Sequence, residues 1–230
     1  MRRLSPRIVT SASLFAMLLI FTAVVQASSP TLSIITPRNV QRGAENTISF
    51  NGARLTDAEE ILFYSPGFEV VELTPEAAKV TAKVNITAEC RLGEHVAHIR
   101  CKSGLTEYRT FWVGPFGATA EVEPNSSFDA PQKIELNTTV HGVVTNEDVD
   151  YYAVELTAGQ RISAEIEAMR LGTTLFDPYI AIIDAKRFEL SADDDTPLTK
   201  QDAVASAVAK EAGTYYVMVR ESSYAGNGNC

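Results

Sequence analysis

Asp148-Val-Asp-Tyr-Tyr-Ala-Val-Glu-Leu156 and Gly213-Thr-Tyr-Tyr-Val-Met-Val219 are the two stretches whose reading decides the fold. Each is a short run rich in aromatic and β-branched residues, and each is introduced by polar turn residues. Between them lie the turn Ala158-Gly-Gln160 and the acidic run Asp193-Asp-Asp195. Residues in a strand alternate between its faces, so each tyrosine pair (Tyr151 and Tyr152, Tyr215 and Tyr216) sends one ring inward and one outward. The pattern is that of a β-sandwich.

Working outward, the same logic covers the rest of the chain. Apolar residues follow a period of two or short continuous runs, with turn signals every 8 to 12 residues. Upstream, strands are predicted at Leu32 to Thr36, Thr47 to Asn51, Glu60 to Tyr64, Glu69 to Leu73, Lys79 to Ile86, His95 to Lys102 and Thr106 to Val113. Thr74-Pro-Glu-Ala-Ala-Lys79 has the look of a helix start, but the alternation of Val80, Ala82, Val84 and Ile86 favours a strand there. Downstream, strands are predicted at Lys133 to Leu136, Thr139 to Val144, Asp150 to Leu156, Arg161 to Met169, Pro178 to Ile183, Ala203 to Ala209 and Thr214 to Arg220. Gly114-Pro-Phe-Gly-Ala118 reads as the boundary. The expected class is all-β: two consecutive β-sandwich domains, at 31–114 and 121–230, joined by a linker at 115–120.

The first 27 residues read as a signal peptide. Arg2, Arg3 and Arg7 form a basic start, Leu14 to Val25 is almost wholly apolar, and Val25-Gln-Ala27 offers small residues for cleavage. The alternative is an uncleaved N-terminal anchor, although the apolar run is short for a span of about 20 residues. Either way the chain is expected to be exported, secreted or held at the cell surface or in the periplasm. Cleavage takes away three arginines and no acid, moving the formal charge from −9 to −12. Residues 115–230 hold 19 acids against 8 bases, whereas residues 28–114 are nearly balanced. Such a surface repels phosphate backbones and suits divalent cations, so nucleic acid is not an expected partner. No membrane contact is expected after cleavage.

Cys90, Cys101 and Cys230 do not make a disulfide framework. A strand between Cys90 and Cys101 would hold them roughly 25 Å apart at about 3.3 Å per residue, beyond the ~7 Å Cα limit for a bridge. His95 and His98 differ by three on a predicted strand and therefore face opposite sides. The chain contains no His-Glu-x-x-His pair and no Gly-x-Ser-x-Gly elbow, and no motif supplies an acid to orient Cys90 and His95 as a nucleophile pair. No catalytic residue is expected.

Two family resemblances follow. Pro37, Gly43, Ile48-Ser-Phe-Asn-Gly52, Leu92-Gly93, Gly104 and Phe111-Trp-Val113 together resemble the immunoglobulin-like TIG (IPT) domains of extracellular proteins, over residues 31 to 114. That resemblance implies a spacer or binding platform. Glu123-Pro-Asn125, Gly142, Asp148-Val-Asp-Tyr-Tyr152, Ala158-Gly-Gln160, Leu175-Phe-Asp-Pro178, Asp193-Asp194 and Gly213-Thr-Tyr-Tyr-Val217 resemble, in family order, the bacterial pre-peptidase C-terminal (PPC) domain. It implies a jelly-roll-like sandwich on secreted proteases and other exported proteins. The family pattern carries one more strand after Tyr224-Ala-Gly226, so the resemblance implies a last strand beyond this sequence.

Glu121, Glu123 and Asn125 alternate along one extended segment and can face the same side. Calcium takes six to eight oxygens, several of them carboxylates gathered by turns. The segment resembles the entry strand of collagenase-type collagen-binding domains, which implies calcium held by Glu121, Glu123, Asn125, Glu147, Asp150 and the Tyr151 carbonyl. Ser126 stands where a further carboxylate is expected. The plain alternative is that these are solvated acids flanking turns. The outward tyrosines admit a second use, stacking on a sugar or peptide. The functional expectation is a non-catalytic accessory or binding module, the N-terminal part of a larger secreted or cell-surface protein. The alternatives are an extracellular adhesion protein binding matrix protein or polysaccharide, and the appendage of a secreted peptidase or other hydrolase whose catalytic domain lies beyond residue 230.

Overall fold

A computed structural model describes residues 29–172 and 175–227; the signal-peptide segment and Cys230 lie outside the described residues. The chain is built almost wholly of strands. The first half contains β1 (Thr31–Thr36), β2 (Asn39–Gln41), β3 (Glu45–Ala53), β4 (Ala58–Phe63), β5 (Phe68–Pro75), β6 (Lys79–Ile86), β7 (Gly93–Cys101), β8 (Gly104–Leu105) and β9 (Arg109–Gly114). They form one sheet of order β1-β3-β6-β5 and a second of order β2-β9-β7-β4, with β8 on β7. The inward rows meet between the sheets: Ile48 and Phe50 of β3, Val80, Ala82, Val84 and Ile86 of β6, Ala97 and Ile99 of β7, Phe111 and Val113 of β9. The alternation read in Lys79 to Ile86 is therefore a core-facing row, and of the helix-like start before it Thr74 and Pro75 end β5 while residues 76–78 turn the chain into β6.

The second half contains β10 (Gly117–Ala120), β11 (Gln132–Lys133), β12 (Thr138–His141), β13 (Val149–Leu156), β14 (Arg161–Glu165), β15 (Pro178–Ile183), β16 (Glu189–Asp193), β17 (Val204–Val208) and β18 (Gly213–Glu221). A five-stranded sheet, β11-β13-β18-β15-β16, is accompanied by the pairs β14-β17 and β10-β12. The aromatic strands are neighbours: β13 and β18 pair antiparallel, with Tyr152 opposite Val217 and Val154 opposite Tyr215. Tyr152, Val154, Leu156, Tyr215 and Val217 pack with Ile180 and Ile182 of β15, Ile162 of β14 and Ala205 of β17. The alanine-rich segment contains a strand, β17, which pairs antiparallel with β14, Ala207 opposite Ile162 and Ala205 opposite Ala164.

Several elements differ from the expectations. Residues 115–120, expected as a plain linker, include β10, which runs parallel to β12 from Gly117 opposite Thr138 to Ala120 opposite His141. The predicted Thr106 to Val113 strand is interrupted, because the Thr106 hydroxyl accepts the Ile99 N–H at 2.9 Å and donates to the Glu107 carbonyl at 2.9 Å, drawing the chain out of the ladder. The strand expected to run to Met169 stops at Glu165. There the Asp202 carboxylate accepts the N–H groups of Ala168 at 3.0 Å and Met169 at 2.7 Å, curling the chain into a single 3-10 turn at Met169–Leu171. β2 and β16 were not read from sequence: β2 has three residues, and β16 leads into the acidic run. Among the described residues no helix is long and apolar enough to cross a membrane.

Candidate metal centre

β13 places its even-numbered residues on the core side, so Asp150, Tyr152, Val154 and Leu156 form one buried row. That row begins with a carboxylate. Asp150 is 1% exposed, and its Oδ1 has no hydrogen-bond partner. A buried, unpaired negative charge is costly, so a group in this position holds a proton or a cation. Burial, followed by the nearby Glu121, Asp148 and Glu123 carboxylates, pushes the Asp150 carboxyl up to about 8.

The other walls come from the segment after β10. The Glu121 N–H donates to the His141 carbonyl at 2.9 Å, continuing the β10-β12 pairing by one residue. Its side chain then turns inward: Oε1 accepts Asn125 Nδ2 at 3.0 Å and the Tyr152 hydroxyl at 2.5 Å, and Oε2 accepts the Val143 N–H at 2.8 Å. Gly142 makes this possible, since a Cβ there would lie 2.8 Å from Glu121 Oε2. Asn125 is fully buried. Its N–H donates to Glu123 Oε2 at 2.7 Å, its carbonyl accepts the Tyr151 N–H at 3.0 Å, and its Oδ1 is unpartnered.

Asp148 completes the group. Its Oδ1 accepts the Ser126 hydroxyl at 3.0 Å, and its Oδ2 accepts the Thr145 hydroxyl at 3.2 Å. Carboxylate oxygens of Glu123, Asp148 and Asp150 lie within 4.8 Å of one another. Three acids at that spacing, one of them buried, with orphaned oxygens on Asp150 and Asn125, fit a hard, oxygen-seeking divalent cation. The donor set contains no thiolate or imidazole, which argues against a zinc or copper site.

Of the residues singled out from sequence, Glu121, Glu123, Asn125 and Asp150 are brought together. Glu121 serves as the strut of the cluster, with both oxygens engaged by protein donors. Glu147 stands apart: it is exposed, takes φ 61°, and its N–H donates to the Tyr224 carbonyl at 3.0 Å. Tyr151 enters through its backbone N–H, while its ring packs edge-on against Phe128 with centroids 5.9 Å apart. Asp148 is the member that sequence reasoning missed. Its signal was present, because Asp148 and Asp150 are two apart on an extended segment, the same spacing as Glu121 and Glu123. Ser126, where a further carboxylate was expected, instead orients Asp148.

The remaining candidates have local roles. In the acidic run, Asp193 Oδ2 accepts the Thr196 hydroxyl and the Val204 N–H, organising the turn into β17. Cys90 and Cys101 are buried free thiols. Burial pushes the Cys90 thiol up. Cys90 Sγ and His95 Nε2 both address the Arg91 carbonyl, at 3.7 and 2.7 Å, rather than each other. His95 packs against Phe68 and Phe111, whereas His98 lies on the other side of β7 near Tyr64 and Tyr108. Of the outward tyrosines, Tyr216 is covered by Phe128 at 4.1 Å between centroids, and Arg187 lies 4.6 Å over that Phe128 ring.

Among curated proteins, none matches the chain. Solved structures that the chain matches include an ICAM-5 D1–D4 ectodomain fragment, at 11% identity and a TM-score of 0.27, covering 80% of this chain and 42% of that one. The mixed-linkage glucan utilization locus protein SGBP-B of Bacteroides ovatus, solved in complex with mixed-linkage heptasaccharide, has 10% identity and a TM-score of 0.32, covering 84% of this chain and 75% of that one. This chain therefore spans less than half of the ICAM-5 fragment. Residues 148–221, from the first aspartate of β13's approach to the end of β18, match the family model of the bacterial pre-peptidase C-terminal domain.

Proposed function

We propose that this chain is a non-catalytic accessory module of an exported protein, in which a divalent cation, calcium by its chemistry, ties the entry segment of the second sandwich to its first aromatic strand. The observation that carries the reading is the buried Asp150 with an unpartnered oxygen, beside the carboxylates of Glu123 and Asp148. Glu123, Asp148, Asp150 and the Asn125 side-chain oxygen would hold the ion, and Glu121 would keep Asn125 in place. Bound calcium supplies positive charge that replaces the proton on Asp150 and joins residues 121–126 to 148–150. The chain's own part is to present the oxygens and to exclude competing donors.

Calorimetric titration of calcium into chelator-stripped protein tests the reading. Heat is expected, together with a stabilisation of about 2.7 kcal/mol at free calcium one hundred times Kd. Because the ion displaces a proton from a carboxyl pushed up to about 8, affinity should climb between pH 6 and pH 8. Absence of heat at every pH in that range would remove the reading. For the module as a whole we propose an extracellular protein or polysaccharide as the partner, to be examined by pull-down against collagen, chitin and cell-wall polymers.

A further inference from the structure

In the sheet β2-β9-β7-β4 the odd-numbered residues of β7 and β9 point into the core of the first sandwich, so His98, Thr110 and Trp112 look outward. The second sandwich closes one end of this outward face. There the Arg170 guanidinium lies 5.1 Å from the Trp112 ring centre, and the Thr110 hydroxyl donates to the Leu171 carbonyl at 3.1 Å. Asn39 of β2, opposite Trp112, donates Nδ2 to Glu167 Oε2 at 3.0 Å. Gly114 leaves it room, since a Cβ there would lie 2.7 Å from Asn39 Oδ1.

The other end is open and aromatic. Tyr64, directly after β4, is 64% exposed, and Tyr108, directly before β9, is 59% exposed. His98 of β7 stands between them, its ring centre 5.3 Å from that of Tyr64 and 5.8 Å from that of Tyr108. Three rings from three neighbouring strands thus make one row across the sheet. His98 is held by its Nδ1, which donates to the Thr106 carbonyl at 2.8 Å. A neutral imidazole with its proton on Nδ1 presents Nε2 as an acceptor.

The chemistry beside the row narrows what fits it. Arg100, the next outward residue of β7, is bound to Glu59 at 2.5 Å and Glu60 at 2.9 Å. The Arg109 guanidinium is spent on the carbonyls of Ser33 and Tyr108, at 2.8 and 2.9 Å, and Glu107 accepts the Leu32 N–H at 3.1 Å. These committed charges leave nothing for an ionic ligand. β7 is paired with β4 on one side and β9 on the other, so an extended peptide finds no strand edge at the middle of the row to add to. A ligand must bind through side chains: two tyrosine faces and an acceptor between them. That suits a neutral molecule with apolar faces and hydroxyls at its rim.

We propose that Tyr64, His98 and Tyr108 form a glycan-binding row on the first sandwich, with one pyranose ring stacked on each tyrosine and a sugar hydroxyl donating to His98 Nε2. The proposal rests on the polysaccharide reading of the partner given above and assigns it a surface. The acidic cluster belongs to the second sandwich and takes no part.

Calorimetric titration of cellohexaose, laminarihexaose and chitohexaose into the full chain, in calcium and in chelator, tests the row. At least one glycan should bind, equally in both conditions. Tyr64→Ala and Tyr108→Ala should each weaken that binding about tenfold. His98→Phe, which keeps a ring and removes the acceptor, should weaken it as well. Phe188→Ala, which removes a 65% exposed aromatic from the second sandwich, should leave it unchanged. Failure of all three glycans to bind overturns the row, while capture of collagen in the pull-down would still uphold the accessory-module reading. Glycan binding that survives both tyrosine substitutions, or that vanishes in chelator, overturns the row and moves the polysaccharide contact elsewhere. Should an alanine variant fail to fold, iodination of the wild type read by mass spectrometry decides instead: glycan should shield Tyr64 and Tyr108, and equal labelling with and without it overturns the proposal.

Discussion

The two sandwiches solve the same packing problem with different interiors. Among the described residues, the polar side chains buried in the first are Asn39, His95 and Thr106, all without a formal charge at neutral pH; those buried in the second are Asn125, Asp150, Asp202 and Glu221. Every buried carboxylate therefore lies in the second sandwich. Two of its three have protein donors: Asp202 in Arg170 and backbone N–H groups, and Glu221 in the N–H groups of Ser223 and Ala225, which reach its Oε2 at 2.6 and 2.7 Å. The third, Asp150, keeps an orphaned oxygen among other acids. A satisfied buried acid is a structural post, whereas an unsatisfied one has to hold a proton or a cation.

Four substitutions would sharpen or break that comparison. Phe111→Ala opens the apolar core of the first sandwich and should cost about 3–5 kcal/mol. Asp202→Ala strands the Arg170 charge, which is 9% exposed, and should likewise cost about 3–5 kcal/mol, in the second sandwich alone. Domain-resolved thermal unfolding distinguishes them, and a loss spread evenly over both sandwiches in either variant would break the contrast. Asp150→Asn should behave oppositely to Asp202→Ala. In chelator it relieves crowding among acids, so the melting temperature should hold or rise; in calcium the gain seen in the wild type should vanish. The metal-free wild type should lose stability as pH rises through about 8, because a raised carboxyl contributes only while protonated, and Asp150→Asn should flatten that slope. Gly114→Ala presses on Asn39 and should cost about 1–3 kcal/mol, read as a red shift of Trp112 emission with both cores intact.

Fold was far more legible than site. The alternation of Val80, Ala82, Val84 and Ile86 needed only a period of two to be read, and so did the tyrosine pairs. Short strands escaped: Asn39–Gln41 has too few residues to show a period, and its place beside β9 is set by pairing across 73 positions of sequence, from Asn39 to Trp112. At the site, spacing pointed to Glu121, Glu123, Asn125 and Asp150 but could not distinguish Glu147 from Asp148. Neighbours in sequence differ by half a strand period, and the left-handed turn at Glu147 decides which one faces the cluster. The resemblance to collagen-binding domains weighed Glu147, whereas the chain's own i, i+2 spacing favoured Asp148.

The sequence by itself determined that this chain is all-β, that its acids gather in the second half, and that Cys90 and Cys101 are too far apart to bridge. Those properties follow from local periodicity and composition, which no partner strand can change. Tertiary structure alone decided which carboxylates are satisfied. Asp150, Asp202 and Asp193 are chemically identical in the sequence; what separates them is whether folding brings N–H groups and an arginine to their oxygens or leaves them facing other acids.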